Sequence, residues 1–88
     1  MGFVVKEIQA TPNPNAVKFV LDGEISQSPV SFLNPNEGKD HPLASQLFGI
    51  RGVTSVLLLG DFVTINKRPD VKWESITQNV QEILKKTG

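Results

Sequence analysis

The fifteen residues from Val53 to Lys67, VTSVLLLGDFVTINK, constrain the fold more than any other stretch. They set two strand-like runs on either side of Gly60-Asp61, where glycine in the first central position suits a two-residue type II′ turn. Phe62, Thr64 and Asn66 alternate with Val63 and Ile65, and Leu57-Leu58-Leu59 is apolar on both faces, which places its strand inside a sheet. A hairpin of this kind commits the chain to an antiparallel sheet.

A second hairpin lies near the N-terminus. FVVKEIQ, Phe3 to Gln9, and AVKFVL, Ala16 to Leu21, both alternate; Val17, Phe19 and Leu21 share one face, and Asp22-Gly23 ends the run. Glu7 and Lys18 are expected to face each other as an exposed pair of little energetic weight. The connection contains TPNPN, Thr11 to Asn15. Each proline lacks an N–H and pushes the residue before it out of the α region, so the loop reads as extended and irregular. Asn13 and Asn15 suit local Asx turns.

Between the hairpins, a structureless run of about 20 residues is improbable in a compact domain. PVSFL, Pro29 to Leu33, reads as a short edge strand, and NPNEGKD after it as a mobile turn. HPLASQLFGI, His41 to Ile50, reads as a helix with Asp40 or His41 at the N-cap, Pro42 in the first helical position and Gly49 and Gly52 at its end. Leu43, Leu47, Phe48 and Ile50 form its apolar side. After Pro69, Asp70 is the expected N-cap of a last helix whose stripe is Trp73, Ile76, Val80, Ile83 and Leu84. The expected fold is a two-layer α+β domain over residues 1–88, ordered strand, strand, short strand, helix, strand, strand, helix, with an antiparallel sheet of about four strands and both helices on one face.

The totals exclude several classes of function. Nine Lys+Arg balance nine Asp+Glu, and the cations are scattered, which argues against nucleic-acid binding. There is no cysteine, hence no disulfide, thiolate zinc site, Cys-ligated iron–sulfur cluster or cysteine nucleophile in this chain. An 88-residue domain without disulfides is expected in the cytoplasm. No apolar run approaches the roughly 18 residues of a membrane span, and FVVKEIQ is no signal-peptide core.

Candidate reactive residues each have a simpler role. His41 is the only histidine and begins a helix; Asp22 and Asp61 sit in turns; no serine lies in a Gly-x-Ser-x-Gly elbow. Trp73 and the five phenylalanines read as core. No catalytic residue, metal site or cofactor is expected, and binding or assembly is the better class.

Three blocks together resemble the N-terminal domain of the Nfu family, the NifU-related iron–sulfur scaffold proteins. They are TPNPNAVKF, Thr11 to Phe19; HPLASQLFGIRGVTSVLLLGDFVTINK, His41 to Lys67, similar to the family's Pro-Leu-Ala-x-x-Leu-Phe, Gly-Val-x-Ser-Val and Asp-Phe-(Ile/Val)-Thr-Val pattern; and Trp73 opening the last helix. In that family a Cys-x-x-Cys motif in a separate C-terminal domain ligates the cluster, and this chain contains no such motif. The resemblance therefore implies an accessory α+β module that engages protein partners, among them iron–sulfur assembly or recipient proteins, or orients the scaffold, without holding the cluster.

The expected interaction residues are Thr11, Asn13, Pro14, Asn15 and Lys18, with the TPNPN loop and the Gly60-Asp61 turn forming one recognition rim. Backbone donors near Asn13 and Asn15 would hold a peptide or an anion at that rim. The competing reading is a small anion- or peptide-binding adaptor unrelated to iron–sulfur chemistry, with the Asn/Pro loop as its site. A monomer or weak dimer is expected, with the strand near residues 29–33 as a possible open edge.

Overall fold

The computed structural model describes residues 2–87, leaving Met1 and Gly88 outside the description. Five strands form one antiparallel sheet in the order β1-β2-β5-β4-β3: β1 Val5–Ala10, β2 Ala16–Leu21, β3 Ser26–Phe32, β4 Val53–Gly60 and β5 Phe62–Lys67. The three helices are α1 Pro35–Gly38, α2 Pro42–Phe48 and α3 Trp73–Lys86. The α+β class and the two hairpins are as expected; the strand count is five, not about four.

The extra strand comes from β3, which begins at Ser26 and ends at Phe32, so that Leu33 lies beyond it and is 71% exposed. β3 does occupy an edge. Val30, Ser31 and Phe32 pair with Leu58, Leu57 and Val56, while Pro29 falls in the irregular stretch between Ser26 and Val30, where no ladder bond is demanded of it.

Side-chain alternation sorts the sheet into two faces. On one, Phe19 lies opposite Val63, Val63 opposite Leu58, and Ile65 opposite Val56. These residues are buried against Leu43, Ala44 and Leu47 of α2 and Ile76, Val80 and Leu84 of α3. The apolar stripes read from the sequence are thus the stripes that make the core.

The caps differ in part from expectation. His41 caps α2: its Nδ1 accepts from the backbone N–H groups of Leu43 and Ala44, both at 3.2 Å. The NPNEGKD segment forms one helical turn, α1. Asn34 Oδ1 accepts from Glu37 N at 3.0 Å, and Glu37 Oε1 accepts from Leu33 N at 3.0 Å, a reciprocal box at the helix start.

Asp70 does not cap α3. Lys72 holds the N-cap position without a side-chain cap bond, and the Asp70 carboxylate pairs instead with Arg68 at 3.2 Å. The intervening Val71 packs against the core and lies under Gly52, so the chain turns once more before the helix starts. Gly52 has φ +96°, and a Cβ there would come within 2.7 Å of Val71. At the main hairpin, Gly60 has φ +57° and no described non-glycine residue has positive φ, which is the pattern of a II′ turn.

Candidate interaction loop

The loop at Thr11–Asn15 is built from its own hydrogen bonds. Thr11 Oγ1 lies 2.8 Å from Ala16 O and 2.9 Å from Asn13 O as donor, and accepts from Asn13 N at 3.1 Å. Asn13 Oδ1 accepts from Asn15 N at 2.9 Å, an Asx turn. Ala16 N donates to Asn13 O at 3.0 Å, closing a four-residue turn with Pro14 at its second position, where proline presets φ. The loop is therefore irregular, as expected, but not extended: it bends at Pro12 and Asn13 and closes in a tight turn at Pro14 and Asn15. The backbone donors of Asn13, Asn15 and Ala16 are all spent inside the loop, so none of these three is directed at a ligand.

Two distant residues clamp this loop. The indole Nε1 of Trp73 donates to Pro14 O at 3.0 Å. Lys67 donates twice to Asn15: its backbone N to the carbonyl oxygen at 2.8 Å and its ammonium to Oδ1 at 3.1 Å. The ammonium also donates to Arg68 O at 3.2 Å and lies 5.6 Å from the Trp73 ring centroid, within cation–π range. Lys67 is the buried charged residue of the described chain, 9% exposed, and neutral oxygens with one aromatic face satisfy it. Between these anchors Pro12, Asn13 and Pro14 remain exposed. The result is a short, stiff protrusion.

Trp73 is thus both a partner of the core and the tie that holds the loop. The indole N–H was the signal for this second role, because a partly buried tryptophan needs an acceptor. Nothing in the local sequence marks Lys67, whose contact with Asn15 spans 52 positions.

The other expected site residues lie elsewhere. β2 and β5 run antiparallel with Ala16 opposite Asn66 and Val20 opposite Phe62, so TPNPN and Gly60-Asp61 occupy opposite ends of the sheet, about 20 Å apart over six residues of strand. They form no common rim. The Gly60 and Asp61 carbonyls accept from Ile25 N at 2.7 Å and Leu21 N at 2.6 Å, tying the turn to neighbouring strands.

Lys18 lies opposite Gln9 and Thr64, while Glu7 lies opposite Val20, so the expected Glu7–Lys18 pair is replaced. The irregularity between Val5 and Glu7 sets this register, and the Lys18 ammonium sits 4.1 Å from the Phe62 ring centroid. His41 is occupied as a cap, and Asp22 Oδ1 accepts from Val4 N at 3.0 Å. Among the described residues no three His, Cys, Asp or Glu side chains gather as a metal-binding group.

Comparison with known proteins adds the family. A model described as the N-terminal part of scaffold protein Nfu/NifU matches residues 5–88. The mitochondrial NifU-like protein of Saccharomyces cerevisiae is 38% identical over 84 residues, which is 86% of this chain and 33% of that protein. The human mitochondrial NFU1 iron-sulfur cluster scaffold homolog is 34% identical over 76 residues, 84% of this chain and 30% of that protein. The chain thus spans about a third of the length of these curated relatives. The solution structure of a NifU-like protein from S. cerevisiae superposes with a TM-score of 0.80 at 35% identity, covering 94% of this chain and 77% of the other. The crystal structure of SAV1430 from Staphylococcus aureus superposes at 0.75 with 21% identity, covering 91% of this chain and 96% of the other, a likeness of fold alone.

Proposed function

Because this chain belongs to the family of Nfu/NifU scaffold N-terminal domains, we propose that it is a non-catalytic protein-interaction module serving iron–sulfur cluster assembly or delivery without ligating the cluster itself. The match over residues 5–88 carries this reading. The relatives' names concern proteins about three times as long, and the thiolates a cluster requires have no counterpart in a chain without cysteine.

The loop Thr11–Asn15 is the surface we assign to the partner. A loop whose turns are already closed and anchored loses little conformational entropy on binding, so more of the contact energy appears as affinity. Its exposed Pro12, Asn13 and Pro14 offer rigid apolar rings beside amide groups. No observation favours the anion-binding alternative.

Titration of the isotope-labelled chain with purified iron–sulfur assembly and recipient proteins tests the reading. Saturable amide shifts centred on residues 11–16 are expected, and an Asn13→Ala, Pro14→Ala variant should weaken binding at least about tenfold. Shifts confined to α2 and α3, or no saturable binding to any such protein, would discard it.

A further inference from the structure

The face of the sheet opposite the helices carries two cross-strand rows. One reads Glu7, Val20, Phe62, Leu59 and the next Gln9, Lys18, Thr64, Leu57. Val20, Leu57, Leu59 and Phe62 are partly exposed and do not pack against the core, unlike Val17 and Val30, whose side chains reach it. A solvated sheet face is ordinarily polar along its length. Here four large apolar residues lie together, bordered by Lys18 and Thr64 in the second row, by Glu7, Gln9 and Ser31, and by the hydrogen-bonded pair Asn66–Ser55 at 2.7 Å. An apolar centre inside a polar rim is the anatomy of a protein interface.

We infer that this open face is a contact between two copies of this chain. Five strands at about 4.8 Å spacing and about six residues at about 3.3 Å each give a face of about 480 Å². Two such faces bury about 1,000 Å², enough for a specific but weak association.

The arrangement of side chains selects a second copy. A two-fold axis running across the strands between the two rows lays each row on the other row of the partner. Leu57 then meets the partner's Leu59, Thr64 meets the partner's Phe62, and Lys18 lies beside the partner's Glu7. Lys18 and Glu7 are the charges of these two rows, one of each sign, so the face is electrically complementary to itself. The Lys18 ammonium already lies over the Phe62 ring, 4.1 Å from its centroid, which holds the cation at the apolar surface where the partner's Glu7 would meet it.

Sedimentation equilibrium from about 10 µM to 1 mM tests the contact. The weight-average mass is expected to rise toward the dimer across this range. Leu57→Glu should hold it at the monomer. Lys18→Glu and Glu7→Lys should each raise the dissociation constant about tenfold, and the double variant Lys18→Glu, Glu7→Lys should return it to near the parent value. Circular dichroism checks folding, and the charge variants carry the test if Leu57→Glu does not fold. A monomer at every concentration, a dimer indifferent to Leu57 and Lys18, or single charge reversals that the swap fails to rescue would each overturn the proposal. A dimer abolished instead by Ile8→Lys would place the contact on the β1 edge and overturn it equally.

Discussion

Phe19 and Phe62 stand on neighbouring strands of the same ladder, one opposite Val63 and the other opposite Val20. They are the same side chain in nearly the same strand context. Phe19 points into the helix layer and is 0% exposed, whereas Phe62 points out of the sheet, touched by Lys18 and partly open to water. The pair separates two demands on one sheet. The inner face answers to burial: Phe19, Leu58, Val63, Ile65 and Val56 on it join one core with the apolar stripes of α2 and α3, and only towards the β1 edge does a large side chain, Ile8, stay open to water. The outer face answers to solvent and to whatever lies against it, so its apolar content has a different cause.

The first prediction takes this contrast at its widest. Phe19→Ala should destabilise the fold by about 3–5 kcal/mol, because it removes a fully buried ring and leaves a cavity beneath two helices. Phe62→Ala should cost only about 1 kcal/mol, since its ring is already part-hydrated and no cavity closes over it. Urea unfolding of the two variants side by side decides the matter; equal losses would mean that both faces are core.

At the margin between sheet and helix layer, Gly52→Ala should cost about 1–3 kcal/mol through its positive φ and the approach of Val71. The midpoint of thermal unfolding reads this directly, and an unchanged midpoint would show that the β4 approach tolerates rearrangement.

Trp73→Phe keeps an aromatic ring at the start of α3 but deletes the donor to Pro14 O. A loss of about 0.5–1.5 kcal/mol is expected. Amide exchange should accelerate at Asn15 and Ala16 while the β4–β5 ladder stays protected. Equal acceleration in both places would refute a locally clamped loop. The smallest effect belongs to Asp70→Ala: its partner Arg68 is 48% exposed in its side chain, so stability should move by less than about 0.5 kcal/mol.

Much of this was legible in the residues. The alternation of Val53–Lys67, the stripe Ile76, Val80, Leu84 and the His41-Pro42 helix start all mark local geometry, and local geometry is what a short window of sequence encodes. The Asn34-to-Glu37 box was also present, but Asn-Pro-Asn serves a turn equally well, and only the packing of Gly38 against Phe48 distinguishes the two. Asp70 has the chemistry of an N-cap, yet the burial of Val71 claims the intervening residues and delays the helix to Trp73.

By itself, the sequence determined the two hairpins, the helices after Pro42 and Trp73 with their apolar sides, and that no thiol chemistry is available. Only the tertiary structure decided that TPNPN and Gly60-Asp61 lie at opposite ends of the sheet, that Lys67 and Trp73 hold the loop from 52 and 59 positions away, and that Val20, Leu57, Leu59 and Phe62 meet on one open face. The reason is physical. Periodicity and capping act between residues a few positions apart, whereas strand order and register are set by the burial of all strands at once, and they alone bring distant polar groups within hydrogen-bond reach.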